Sequence, residues 1–145
     1  MKPSEVLTAI AAQVELASVT SKGPHDKLRR VKTPKDAIGK ERHFFVSITQ
    51  AAVQSEFIAT NWRVMAVAVA VVYNDSPLVY DRAADDSEAI AEKLETLSSN
   101  VDAVQEIMMM GFGIDDTSLS GQVVSEFQIQ VTYSKDISWR SKGHA

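Results

Sequence analysis

The run from Trp62 to Tyr73 constrains the fold more than any other feature of this 145-residue sequence. Its only polar side chain is Arg63, and valines recur at 67, 69 and 71. β-Branched residues at alternate positions favour a strand, and a strand that is apolar on both faces is usually covered on both. The run is also shorter than the roughly 20 residues of a membrane-spanning helix. We therefore expect a strand with two different faces, both of them covered. The bulky face carries Arg63, Met65, Val67, Val69, Val71 and Tyr73, and the small-residue face carries Trp62, Val64, Ala66, Ala68, Ala70 and Val72.

Two further strands are predicted by alternation. Residues 42–49 place Phe44, Val46 and Ile48 on one side. Residues 122–134 alternate cleanly, which predicts a core face and a solvated face. The core face of that last strand would carry Val123, Phe127, Ile129, Val131 and Tyr133, and the solvated face Val124, Glu126, Gln128, Gln130 and Thr132. Residues 78–81 are interpreted as a short edge piece, and 50–61 as a connection of undefined form.

Helices are predicted before and after these strands. Pro3 suits a first helical turn, and Leu7, Ile10, Ala11 and Val14 form an apolar stripe in a helix that ends near Val19. A second helix is expected to begin with Asp86 or Ser87 as its cap and to bury Ile90, Leu94, Leu97 and Val101. Val104, Ile107 and Met108 predict a short helix after it, closed by Gly111.

This order of elements predicts an α+β fold in one domain, residues 1–145. We expect a small, mainly antiparallel sheet with helices packed on one face. The first helix is followed by a long loop or arm, residues 21–41, which contains two prolines and two glycines. The polar tail, residues 134–145, is expected to be mobile or docked on a partner. The charges inside the apolar pattern of the first residues argue against a signal peptide.

Charge is concentrated in the arm. Residues 22–43 hold eight Lys and Arg against three acids, a local charge of +5, whereas the rest of the chain holds seven against 16, a local charge of −9. The overall charge of −4 argues against a chain that binds nucleic acid over its whole surface. The basic candidates for a subunit interface or for contact with DNA are Lys22, Lys27, Arg29, Arg30, Lys32, Lys35, Lys40 and Arg42.

Catalytic and metal-binding patterns are not evident in the sequence. The three histidines have no metal-type spacing, there is no cysteine, and no nucleophile motif is present. We therefore expect neither an enzyme nor a cofactor. Two pairs of adjacent acids fit a helix cap or a turn better than a cation site. They are also the acidic candidates to meet the arm: Asp85, Asp86, Asp115 and Asp116.

Three interpretations of the arm remain open. An arm of one sign can lie on the oppositely charged surface of an identical neighbour in a ring. Alternatively, several arms can converge where nucleic acid passes, because phosphates favour Lys and Arg. A solvated loop is the simplest alternative. Self-assembly is preferred to DNA contact, and both are preferred to a loop without a partner.

The layout resembles the tail terminator (tail-completion) proteins of long-tailed bacteriophages over residues 1–135. The resemblance lies in the N-terminal helix, the charged loop, the strand "RHFFVSI", the apolar strand from Trp62 and the helix opening in "DDSEAIAEKL". It continues in "MGFGIDD", an acidic turn, and a last strand that finishes "IQVTY".

The resemblance implies a virion protein, assembled in the host cytoplasm, that forms a hexameric ring on the head-proximal end of the tail tube. Its partners would be copies of itself, the tail tube protein and a neck or connector protein, with DNA passing through the lumen. The nearest alternatives are a head–neck completion protein and a tail-tube subunit. A small DNA-binding module that uses the arm is the alternative from another class. No membrane partner is expected.

Overall fold

The computed structural model describes residues 1–17, 28–31, 43–54, 62–74, 78–117 and 122–134. These residues form three helices and five strands. In chain order they are α1 (Pro3–Ala17), β1 (Arg29–Arg30), β2 (His43–Gln54), β3 (Trp62–Asn74), α2 (Val79–Glu95), α3 (Leu97–Asn100), β4 (Val104–Thr117) and β5 (Gln122–Ser134).

The strands form one sheet in the order β1-β2-β3-β5-β4. β1 runs parallel to β2, and every other pairing is antiparallel. The sheet is therefore mixed, and the predicted α+β class with a mainly antiparallel sheet is confirmed. β3, which contains the Trp62–Tyr73 run, is central, because it pairs with β2 along one edge and with β5 along the other.

The two faces of β3 have different surroundings. Its bulky side chains lie on the inner face of the sheet, the face that carries the helices, where they are buried with the core face predicted for β5. The small-residue face lies on the opposite side, which we call the outer face. There Ala68 and Val72 are buried, whereas Ala66 and Ala70 are half-buried. The helices therefore cover only one face of this apolar strand.

α1 and α2 supply the cover of the inner face. In α1 the side chains of Val6, Ile10 and Val14 are fully buried at intervals of four residues, one stripe of a helix. α2 has the stripe Val79, Ala83, Ser87, Ile90 and Leu94. The small residues in the middle of that stripe let the helix approach the sheet closely, and Ser87 Oγ lies 3.5 Å from Ser125 Oγ on β5.

Three predictions of element boundaries are wrong. α2 begins at Val79, so residues 78–81 are not an edge strand and neither Asp86 nor Ser87 is its cap. The predicted helix after Val104 is strand β4, in which Gly111 is an interior position. β2 continues to Gln54 beyond its expected end at 49. β5 ends at Ser134, as the alternation over residues 122–134 predicts, so Ser134 belongs to the strand as well as opening the segment named as the tail. The predicted end of α1 near Val19 lies outside the described residues.

Two hydrogen bonds join Met1 and Ala103 to Ser134 at the end of β5. The Met1 ammonium donates a 2.9 Å hydrogen bond to the carbonyl of Ser134, and the Ser134 amide donates to the carbonyl of Ala103 at 2.7 Å. These contacts hold the start of α1 and the approach to β4 against the end of β5. None of the helices in the described part of the chain has the length and apolar character needed to cross a bilayer.

Candidate assembly surface

The two edges of the sheet are unlike each other. β4 forms one edge, 14 residues long, and its side chains include several large exposed hydrophobic residues. These are Met108, Met110, Phe112 and Ile114. An edge strand offers unpaired backbone groups to a further strand, and a long apolar edge is a ready site for pairing with another chain. Proteins normally protect such an edge with charges, proline or a covering element.

β1 forms the other edge with only two residues, Arg29 and Arg30. Buried Leu28 and Val31 flank them, and the Val31 amide donates a 2.9 Å hydrogen bond to the carbonyl of Phe44. Arg29 is exposed, whereas Arg30 is half-buried. This edge is therefore short, cationic and anchored by apolar residues on both sides.

Strand pairing places the two arginines on opposite faces. Arg29 pairs with His43 and Arg30 with Phe44. Paired residues of adjacent strands share a face, and successive residues alternate. His43 pairs in turn with Val72 of the outer face. Arg29 therefore lies on the outer face, and Arg30 lies on the inner face.

The outer face carries no helix or additional strand within the described ranges. The alanines of β3 form its centre, with Phe45 and Ser47 of β2 on one side. Polar side chains of β5 lie on the other side: Glu126, Gln128, Gln130 and Thr132. A face with a small, apolar centre and polar neighbours allows close approach of another surface.

A concavity of about 350 Å³ lies where β4 and β5 meet. Gly111 and Gly113 line it from β4, and they pair with Gln128 and Glu126 of β5. These four residues share the outer face. A Cβ atom built at either glycine would meet no atom within 4 Å. The Gln128 side-chain amide donates a hydrogen bond to the Glu126 carboxylate, which fixes the polar wall of the concavity.

Of the eight basic candidates, the structure describes only Arg29 and Arg30. It places them in β1, a two-residue strand within the segment that is predicted to be a loop or arm. The other basic candidates lie outside the described residues: Lys22, Lys27, Lys32, Lys35, Lys40 and Arg42. Leu28 and Val31 belong to the buried interior, so this part of the arm is also structural.

The acidic candidates fall at two separate places. Asp85 is exposed on α2, whereas the Asp86 carboxylate accepts a 2.8 Å hydrogen bond from the Tyr73 hydroxyl and so joins α2 to β3. Asp115 and Asp116 lie near the end of β4, and their side chains are outside the described part. The structured portion contains no cluster of three or more His, Asp or Glu residues that could hold a metal ion.

Sequence reasoning missed the β4 edge and the concavity beside it. The relevant stretch is "MMMGFGI", whose pattern predicts a helix end followed by a turn. Met110 and Phe112 are instead exposed strand residues. In an exposed strand, alternate glycines indicate a place where another group can come close to the backbone.

Comparison with known proteins adds no relative to this description. A scan against models of protein families finds no match, and a search of curated proteins finds none at the threshold for a significant relationship.

Proposed function

We propose that this chain is a ring-forming structural protein of a virion, a tail terminator that caps the head-proximal end of the tail tube. The observation that carries the proposal is the pair of unlike sheet edges, β4 and β1. One edge is long and apolar, and the other is short and carries Arg29 and Arg30. The sequence resemblance to terminator proteins supplies the biological setting.

Unlike edges favour a head-to-tail contact. In a two-fold dimer the same patch of each subunit contacts its own copy. When two different patches are in contact, the resulting pair of subunits still has one free patch of each kind. Repetition of that contact either closes a ring or grows a filament. The β4 edge also lies near acidic residues such as Asp102 and Glu106, which are exposed. Their charge complements the arginines of β1 and favours the head-to-tail orientation.

The outer face and the apolar residues of β4 supply surface for such a contact. Met108 and Met110 are exposed, unbranched side chains that adapt to a partner. Burial of apolar area in a joint of this kind contributes about 25 cal/mol per Å² before the losses of association. The lone subunit leaves this area in water.

Termination in this proposal is geometric. A closed ring has no free lateral edge. One end of the ring would match the last ring of the tube, and the other end would lack what a further tube ring needs. Polymerisation would therefore stop, and the free end would be available to a neck or connector protein. No chemical step is involved, so no catalytic residue or cofactor is assigned.

Two alternatives use the same ring. A head–neck completion protein or a tail-tube subunit would share the contact and differ in what binds the two ends of the ring.

A DNA-binding module is the alternative from another class, and its support is the basic segment around Arg29. Affinity for duplex DNA that falls steeply with added salt would favour that class.

Native mass spectrometry and light scattering across concentration test the proposal directly. We expect a monomer at low concentration and one closed oligomer of defined mass at high concentration or on tail tubes. Tubes polymerised with the protein should be capped at one end in electron micrographs. A monomer at every concentration that never binds a tube end would contradict the proposal.

Substitution is a better tool here than deletion of residues 22–42. Such a deletion would remove Leu28 and Val31, which are buried, and would therefore disturb folding together with assembly. Replacing Arg29 and Arg30 by glutamate changes charge at two positions that are not fully buried. We expect that double variant to fold normally and to assemble poorly.

A further inference from the structure

We infer that Arg29 of one subunit reaches across β4 of the next subunit and pairs with Glu126 there, above a floor made by Gly111 and Gly113. The inference rests on the proposed ring and names the contact that fixes its joint. The concavity at these glycines is the receiving site, and its occupant is the guanidinium of a second copy of this chain.

The face is right. Arg29 pairs with His43 and so lies on the outer face of its own sheet. Gly113 pairs with Glu126 on the outer face as well. If the β1 edge of one subunit lies beside the β4 edge of the next, the two sheets continue each other and their outer faces join. Arg29 and Glu126 would then be on the same side of the joint, whereas Arg30 would be on the other side.

The space is present only because of the glycines. Any larger side chain at 111 or 113 would project from the outer face between the arriving arginine and β5. The backbone there leaves open space above both positions, with no atom within 4 Å of a built Cβ. A flat guanidinium can therefore lie against the strand, which is a common use of glycine at a site of close backbone approach.

The reach also fits. Adjacent strands are about 4.8 Å apart, so a strand added beyond β4 would lie two spacings, about 9.6 Å, from β5. A short side chain at either end could not cross that interval. Arginine and glutamate are both long, and they extend toward each other over the intervening β4 backbone.

The charge and its orientation complete the match. Glu126 is exposed and accepts a hydrogen bond from the Gln128 amide, which restricts the carboxylate while leaving other lone pairs available. A guanidinium can donate two parallel hydrogen bonds to a carboxylate, so the pair fixes direction as well as attraction. The contact would set the register of one sheet against the next.

A charge exchange tests the pairing. Arg29→Glu and Glu126→Arg should each raise the concentration for half-maximal ring formation by roughly tenfold or more, as measured by native mass spectrometry. The double variant with both exchanges should recover most of the loss. Glu88→Arg is the charge control, because Glu88 is exposed on α2 and lies outside both sheet edges. This control should assemble nearly as the wild type does.

Filling the floor gives a second test that does not depend on charge. Gly113→Val adds a β-branched residue to a strand position with open space, so the subunit should melt at the same or a higher temperature. The same variant should hinder ring formation because valine occupies the path of the guanidinium.

The outcomes separate this inference from the ring itself. If the Glu126→Arg and Gly113→Val variants form rings as readily as the wild-type chain does, the Arg29–Glu126 contact is wrong and the ring proposal is unaffected. Failure of the double exchange to restore assembly would overturn it too. If the wild-type chain never forms a ring, both the ring proposal and the Arg29–Glu126 contact are wrong. Loss of affinity for duplex DNA in Arg29→Glu, with unchanged rings, would assign the arginine to phosphate and overturn the contact.

Discussion

The Tyr73 hydroxyl donates a 2.8 Å hydrogen bond to a carboxylate oxygen of Asp86. Tyr73 lies near the end of the central strand β3, and Asp86 lies on α2, so the bond joins the sheet to its larger covering helix. The tyrosine is buried and the aspartate is half-buried. An acid that was expected to cap a helix or to face a neighbouring subunit therefore has a role within its own subunit.

Removing this bond should weaken the subunit. Tyr73→Phe keeps the ring in the core and deletes the donor, and we expect the free energy of unfolding to fall by about 1–2 kcal/mol. Urea denaturation followed by circular dichroism measures the change. In a double-mutant cycle, Asp86→Asn should cost little more once Tyr73 is phenylalanine. Additive losses in that cycle would show that the two side chains do not act together.

Leu94 of α2 is fully buried, whereas Leu78, the residue just before α2, is exposed, and the two leucines test whether burial against the sheet determines stability. Leu94→Ala leaves a cavity beneath the helix and should cost about 2–5 kcal/mol. Leu78 is 69% exposed, and Leu78→Ala should change stability by no more than about 0.5 kcal/mol. Thermal and urea unfolding compare the two. Equal losses would contradict the described packing of α2.

Alkaline pH should destabilise the subunit in part through Tyr133. Burial raises the pKa of the Tyr133 hydroxyl above its ordinary value of 10.0, and nearby Arg63 offsets only part of that rise. In the unfolded chain the tyrosine loses its proton at a pH near its ordinary pKa, whereas in the folded state it keeps the proton to a higher pH. Stability from this group is therefore complete below about pH 10 and decreases as the pH rises beyond it.

The measurement for Tyr133 is the free energy of unfolding between pH 9 and 11. Tyr133→Phe should show a shallower decline over that interval than the wild-type chain, because phenylalanine has no proton to lose. The comparison is between slopes, so any constant cost of the substitution cancels. Identical slopes would show that Tyr133 does not contribute to alkaline unfolding.

The β4 edge should matter for assembly and little for folding. Met108→Lys places a charge on the exposed edge, and lysine at an edge opposes further strand pairing. We expect an unchanged melting temperature and a clear loss of oligomer by light scattering. Leu16→Lys on α1 is the matched control, because both side chains are 47% exposed. Equal effects of the two lysines would mean that general charge, and not the edge, controls association.

The central strand and the last strand could be predicted because their alternation is unbroken. β4 could not be, because its pairing with β5 has irregularities between Val104 and Glu106 and between Met109 and Gly111. Each irregularity inserts an extra residue and shifts the inward positions to steps of three, two, three and two. Those inward positions are Val104, Ile107, Met109, Phe112 and Ile114. Steps of three imitate a helical period, and the strand was therefore interpreted as a helix.

The predicted start of α2 is too late for a different reason. Its buried stripe passes through Ala83 and Ser87, which a search for large apolar residues does not detect. Val79 and Tyr80 have high strand propensity, but the packing of the helix on the sheet overrides it. The candidate site shows the same limit. The sequence located the arginines, but only strand order and register reveal that Arg29 shares a face with Glu126.

The position of β3 between β2 and β5 also determines how the sheet can form in time. β2 with β3, and β4 with β5, are each neighbours along the chain, whereas the pairing of β3 with β5 joins residues as far apart as Trp62 and Ser134. Closing that long loop costs chain entropy before the contacts between β3 and β5 form. The β2–β3 and β4–β5 hairpins should therefore form first and dock later. Until they dock, the most apolar strand of the protein has one open edge. The interval before docking is therefore when a newly made chain is most exposed to aggregation.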